Sequence, residues 1–67
     1  MNNWIKTEDR LPENGQRVLC VVDGEDEASL LKYLSGGTFK HYGAMGTTYL
    51  DRTEIPYWMP LPKIPHD

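Results

Sequence analysis

Short apolar runs alternate along the chain with turn-forming residues, and most of the runs are too short for helices. Val18-Leu19-Cys20-Val21-Val22 is the most uniform of them. A continuous β-branched run of this length predicts a central strand over Arg17 to Val22, buried on both faces. Asp23-Gly24 ends it. Ala28 to Leu34 resumes as a second strand. Leu30, Leu31 and Leu34 also fit a helical stripe, so a short helix over residues 25–34 competes; shortness and the hairpin setting favour the strand. Ser35-Gly36-Gly37 reads as a hairpin turn. Thr38 to Tyr42 then alternates, with Phe39 and His41 on one side and Thr38, Lys40 and Tyr42 on the other.

Gly43 and Gly46 bracket a loop around Met45, and Thr47 to Leu50 reads as a short strand. Thr53 to Met59 is the last strand, with Ile55, Tyr57 and Met59 alternating against Glu54, Pro56 and Trp58. Pro56 and Pro60 lack backbone donors, which places it at an edge or ends it early. Leu61 to Pro65 reads as an extended tail. At the other end, Thr7 to Arg10 predicts one helical turn capped by Thr7 and stopped by Pro12. Pro12-Glu13-Asn14-Gly15 reads as a β-turn. The pattern therefore predicts a mainly β protein, with a small β-rich α+β form as the variant. It is one antiparallel sheet of four to five strands, curled or SH3-like, with at most one short helix.

Size and charge narrow the picture. Sixty-seven residues make one small domain, 1–67. Such a chain buries only about 60% of its unfolded surface, and dimerisation is a common remedy for so small a core. Monomer and homodimer both stay open. Seven aromatic residues argue that the chain folds. A net charge of −3 argues against direct nucleic-acid binding. One cysteine excludes an internal disulfide, and with two histidines it excludes the usual closed zinc site. No apolar run approaches the roughly 20 residues that span a membrane, and the first residues lack the pattern of a signal peptide. A cytoplasmic protein without cofactor or metal is the expectation.

Little in the sequence resembles a catalytic constellation. Cys20 lies inside the apolar strand, where a thiol is structural rather than nucleophilic. His41 with Asp51 or Glu54 has no fixed geometry, and His66 lies near the chain end. The glycine pairs are turns, because no helix opening on Lys-Ser/Thr follows them. No enzyme is expected. The acidic turn is more suggestive: Asp23, Glu25, Asp26 and Glu27 fall within five residues. Their spacing is not that of a calcium loop. They form either a solvated loop tip or a patch that docks a basic protein surface, mimicking the phosphates of nucleic acid. Trp4, Tyr57 and Trp58 are the other candidates, either core aromatics or exposed anchors for a partner.

The two ends carry a resemblance. Trp4-Ile5, Glu8-Asp9-Arg10-Leu11-Pro12, Gly15-Gln16-Arg17-Val18-Leu19 and Tyr57-Trp58-Met59-Pro60-Leu61-Pro62 resemble the family known as domain of unknown function 551, whose members open on Trp-Ile and close on a WMPLP motif. Residues 23–54 match little. The resemblance implies a small protein of phage, prophage or enteric-bacterial origin, and it carries over no catalytic residue. The function expected from it, with the acidic turn, is that of a non-enzymatic accessory protein binding a host macromolecule in the bacterial cytoplasm. Its sharper form is an acidic inhibitor of a CRISPR-type defence complex that competes with nucleic acid. The alternative is a structural or assembly helper, which requires an exposed apolar patch.

Overall fold

The computed structural model describes residues 3–61. The proline-rich tail after Leu61 and His66 lie outside the described residues. Six strands form one antiparallel sheet: β1 (Ile5–Lys6), β2 (Arg17–Val21), β3 (Ser29–Leu34), β4 (Thr38–Gly43), β5 (Gly46–Asp51) and β6 (Tyr57–Pro60). Their order is β1-β6-β2-β3-β4-β5, and the sheet does not close into a barrel. Strands β2 to β5 form a meander of hairpins. The chain then returns from the β5 edge to insert β6 between β1 and β2.

That return holds the core together. Arg52–Glu54 make one 3₁₀ turn, with Asp51 as its N-cap. The Asp51 carboxylate accepts from the Thr53 amide, and the Glu54 carboxylate accepts from the Asp51 amide, a reciprocal cap. At one end the segment is tied to the β3–β4 turn, where the Arg52 amide donates to the Gly37 carbonyl at 2.9 Å. At the other end the Glu54 carbonyl accepts from the Asp23 amide at 2.8 Å, and the Pro56 carbonyl accepts from the Thr7 amide at 3.0 Å. Ile55, between these ties, is fully buried.

The core lies on one side of the sheet: Val18, Cys20, Leu31, Tyr33, Phe39, Ile55 and Trp58. Trp58 pairs with Cys20 across β6–β2 and with Ile5 across β6–β1. Its indole Nε1 donates to the Arg10 carbonyl at 2.8 Å, and the Arg10 guanidinium lies 5.6 Å from the ring centroid. The N-terminal segment is thereby fastened over the core, with Leu11 packed against it. Tyr33 and Phe39 meet edge to face at 5.0 Å, and the Tyr33 hydroxyl accepts from the Gly37 amide.

The architecture agrees with the expected mainly β single sheet, and several details differ. The described residues form six strands, because Ile5–Lys6 also pairs. The last strand begins at Tyr57, since the residues before it cross over the core. β2 is interior in the sheet but not buried on both faces: Val18 and Cys20 are buried while Leu19 and Val21 are only half-buried. The apolar run conceals an alternation, because its second face is apolar without being covered. Residues 25–28 are turn and loop and 29–34 are strand, which settles the helix alternative. Thr7 does not cap a helical turn; the turn closes on the Lys6 carbonyl, and the buried Thr7 hydroxyl has no hydrogen-bond partner among the described residues.

Candidate functional site

The acidic loop extends from the end of β2. Asp23, Glu25, Asp26 and Glu27 are all exposed. Gly24 takes φ +86°, the left-handed geometry a tight turn needs, and the Glu25 amide donates to the Val22 carbonyl. Among the described residues, no three His, Cys, Asp or Glu side chains gather as a metal ion would require. The four carboxylates project into solvent as separate charges.

The aromatic candidates divide. Trp58 is 1% exposed and belongs to the core. Tyr57, its neighbour, faces the other side of the sheet and is 39% exposed. Trp4 is half-buried before β1. Cys20 is fully buried, and desolvation pushes its thiol up to about 12. A thiol so far from ionisation at neutral pH is no nucleophile. His41 stands opposite Thr48, whereas Asp51 stands opposite Thr38 and Glu54 completes the 3₁₀ cap, so the sheet does not bring His41 to either carboxylate.

The outer face of the sheet, opposite the core, is where the fold gathers side chains that sequence reasoning left dispersed. Arg17 pairs with Lys32, Lys32 with Lys40, and Lys40 with Tyr49, which makes a row of three cations and a phenol across β2, β3, β4 and β5. Like charges directly opposite each other are destabilising. Next to this row lies an apolar one, Met59–Leu19–Leu30 across β6, β2 and β3. Leu30 is 49% exposed, Tyr42 56% and Tyr49 60%. The signal was present in the alternation of β2, β3 and β4, but rows across strands require register, and register is not written in any one strand.

The electrostatics of the row are mutual. The Lys40 ammonium sits 4.7 Å from the Tyr42 ring centroid and 6.0 Å from that of Tyr49. A hydrogen bond with Tyr42 holds the Lys40 pKa above its usual value. The same bond lowers the Tyr42 phenol, with further pull from the charges of Lys40, Lys32 and Arg17. Pairing between β3 and β4 runs from the turn to Lys32–Lys40, although both strands continue beyond it. A shallow depression there is lined by Arg17, Leu30, Lys32 and Tyr42 among others. A second, wider groove lies where the β5–β6 crossing meets the N-terminal turn, between Lys6, Glu8, Arg52 and Tyr57. Thr7 also borders it, but its hydroxyl is sealed from solvent.

Residues 3–66 match the family model described as "Protein of unknown function (DUF551)". No curated protein and no solved structure matches the chain. The chain belongs to the DUF551 family, and the motifs that mark its ends now have physical roles. Trp58 closes the core, Gly15 takes φ +84° at the turn into β2, and Pro12 is buried beside Leu11.

Proposed function

We propose that this DUF551 member is a non-enzymatic binding protein that works through the outer face of its sheet, as a structural or assembly helper of phage or prophage type in the bacterial cytoplasm. The observation that carries this reading is the exposure of Leu30, Tyr42, Tyr49 and Tyr57, whose strands also place Leu19 and Met59 on that face. Exposed apolar and aromatic side chains grouped beside an Arg are the usual makings of a protein interface. An enzyme would want a pocket with convergent polar groups and a group of suitably shifted pKa. The raised thiol of Cys20 points away from chemistry.

A second reading rests on the acidic loop. Asp23, Glu25, Asp26 and Glu27 are exposed at a loop tip, as an inhibitor competing with nucleic acid for the basic groove of a CRISPR-type complex would require. The Arg17–Lys32–Lys40 row, which begins on the two strands that carry this loop, weakens the field such an inhibitor would present. Capture from bacterial lysate by the parent, by Leu30→Asp and by the loop variant Asp23→Asn/Glu25→Gln/Asp26→Asn/Glu27→Gln separates the two. The outer-face reading expects Leu30→Asp to lose the captured protein and the loop variant to keep it. The reverse pattern, with both variants folded, overturns it in favour of the acidic inhibitor.

A further inference from the structure

We infer that the partner of the outer face is a second copy of this chain, held face to face about a two-fold axis along the Met59–Leu19–Leu30 row, with the acidic loop of each copy against the cation row of the other. The inference rests on the outer-face reading above and names its partner.

Three features along β2, β3 and β4 lead to it. The first is the row Arg17–Lys32–Lys40, three cations placed directly opposite one another with no ion pair among the described residues. Such a row costs stability in the free chain and calls for an anionic neighbour. The second is the loop Asp23–Glu27, whose four carboxylates are exposed and equally without ion pairs among the described residues. The third is the apolar row between them, ending in the half-exposed Leu30. The chain therefore carries both halves of a complementary contact.

The spacing suits an isologous pair. Along β2 and β3, Arg17 and Lys32 lie two residues to one side of Leu19 and Leu30, roughly 6.6 Å at strand rise. The loop carboxylates begin three to four residues to the other side, roughly 10–13 Å away along the same strands. Rotation about the apolar row exchanges the two sides, so each loop comes over the partner's cations, and the few ångströms of mismatch lie within the reach of Arg and Lys stems. A stable association needs roughly 800 Å² from each copy, more than one apolar row supplies, so both charged bands must take part. Small cores are commonly stabilised in this way.

Charge reversal tests the inference. Three proteins are compared by sedimentation at low salt, with circular dichroism to confirm folding: the parent, Lys32→Glu/Lys40→Glu, and Asp26→Lys/Glu27→Lys. The parent is expected to be dimeric and to weaken as salt rises. Each reversed variant should lose self-association by on the order of tenfold or more: in the first the row turns negative on balance and repels the loop, and in the second the loop is neutral on balance and no longer attracts the row. An equimolar mixture of the two variants should form a heterodimer, since the intact acidic loop of the first meets the intact cation row of the second and the two introduced Glu meet the two introduced Lys. If the Lys40 change disturbs the fold, Arg17→Glu/Lys32→Glu replaces it. A monomeric parent at high concentration and low salt, variants that stay dimeric, or a folded mixture that fails to associate would each overturn the dimer. Loss of host-protein capture by Leu30→Asp would in that case still stand for the outer face as a docking surface.

Discussion

Trp58 joins three parts of the chain: its ring packs in the core, its backbone belongs to β6, and its Nε1 fastens the Arg10 carbonyl. Removing a buried aromatic costs about 3–5 kcal/mol, comparable to the whole stability of so small a domain. Trp58→Ala should therefore be unfolded by circular dichroism at room temperature, while Trp58→Phe keeps the fold with a lowered melting point. Cys20 gives a pH test. Its folded pKa is raised by burial, so the folded state holds the proton that the unfolded chain releases. Its stabilising contribution is full below the unfolded pKa near 9 and is lost as pH climbs towards about 12. Chemical denaturation across that window should show the parent losing more stability than Cys20→Ala does, and the native thiol should resist labelling at neutral pH. Parallel slopes for the two proteins would contradict the burial. Both residues were legible in the sequence as core candidates. The indole's tie to Arg10 was not, because a bond spanning 48 positions depends on how the N-terminal segment is laid over the sheet.

Among the elements, the hairpins were the most legible part. Ser35-Gly36-Gly37 sits where the sequence places a turn, and both glycines take positive φ, +86° and +85°. They are not equivalent. A Cβ on Gly36 would meet open space, whereas one on Gly37 would lie 3.1 Å from the Arg52 Cδ. Alanine at either position forces a strained backbone, costing on the order of 1 kcal/mol. Gly37→Ala should cost more, because it also displaces the stem of Arg52 from the crossing over the core. Thermal melts of the two variants check this, and equal losses would show that Arg52 moves aside freely. From the sequence alone, the crossing reads as the first half of a strand. Thr53 to Met59 does alternate, but Asp51 and Glu54 cap a turn there and Ile55 is spent plugging the core. A period of two over a few residues cannot tell a strand from an extended segment that happens to bury one side chain.

For the whole molecule, charge arrangement matters more than net charge. A chain of −3 argues against a basic surface, yet the fold draws Arg17, Lys32 and Lys40 into one row and leaves four carboxylates at a loop beyond an apolar band. Composition cannot show such segregation. It arises from cross-strand register, which places residues 15 and 8 positions apart side by side. The acidic loop was visible because its members are sequence neighbours, and the cation row was missed because its members are not.

Methyl resonances followed with increasing protein concentration test most directly whether the outer face is the contact surface. The account predicts that the Leu19, Leu30 and Met59 methyl signals shift together as copies associate. Those of Leu31, buried in the core, and of Met45, fully exposed at the β4–β5 turn, should stay in place. Movement at Met45 with none at Leu30, or no movement on the outer face up to the solubility limit, would contradict it.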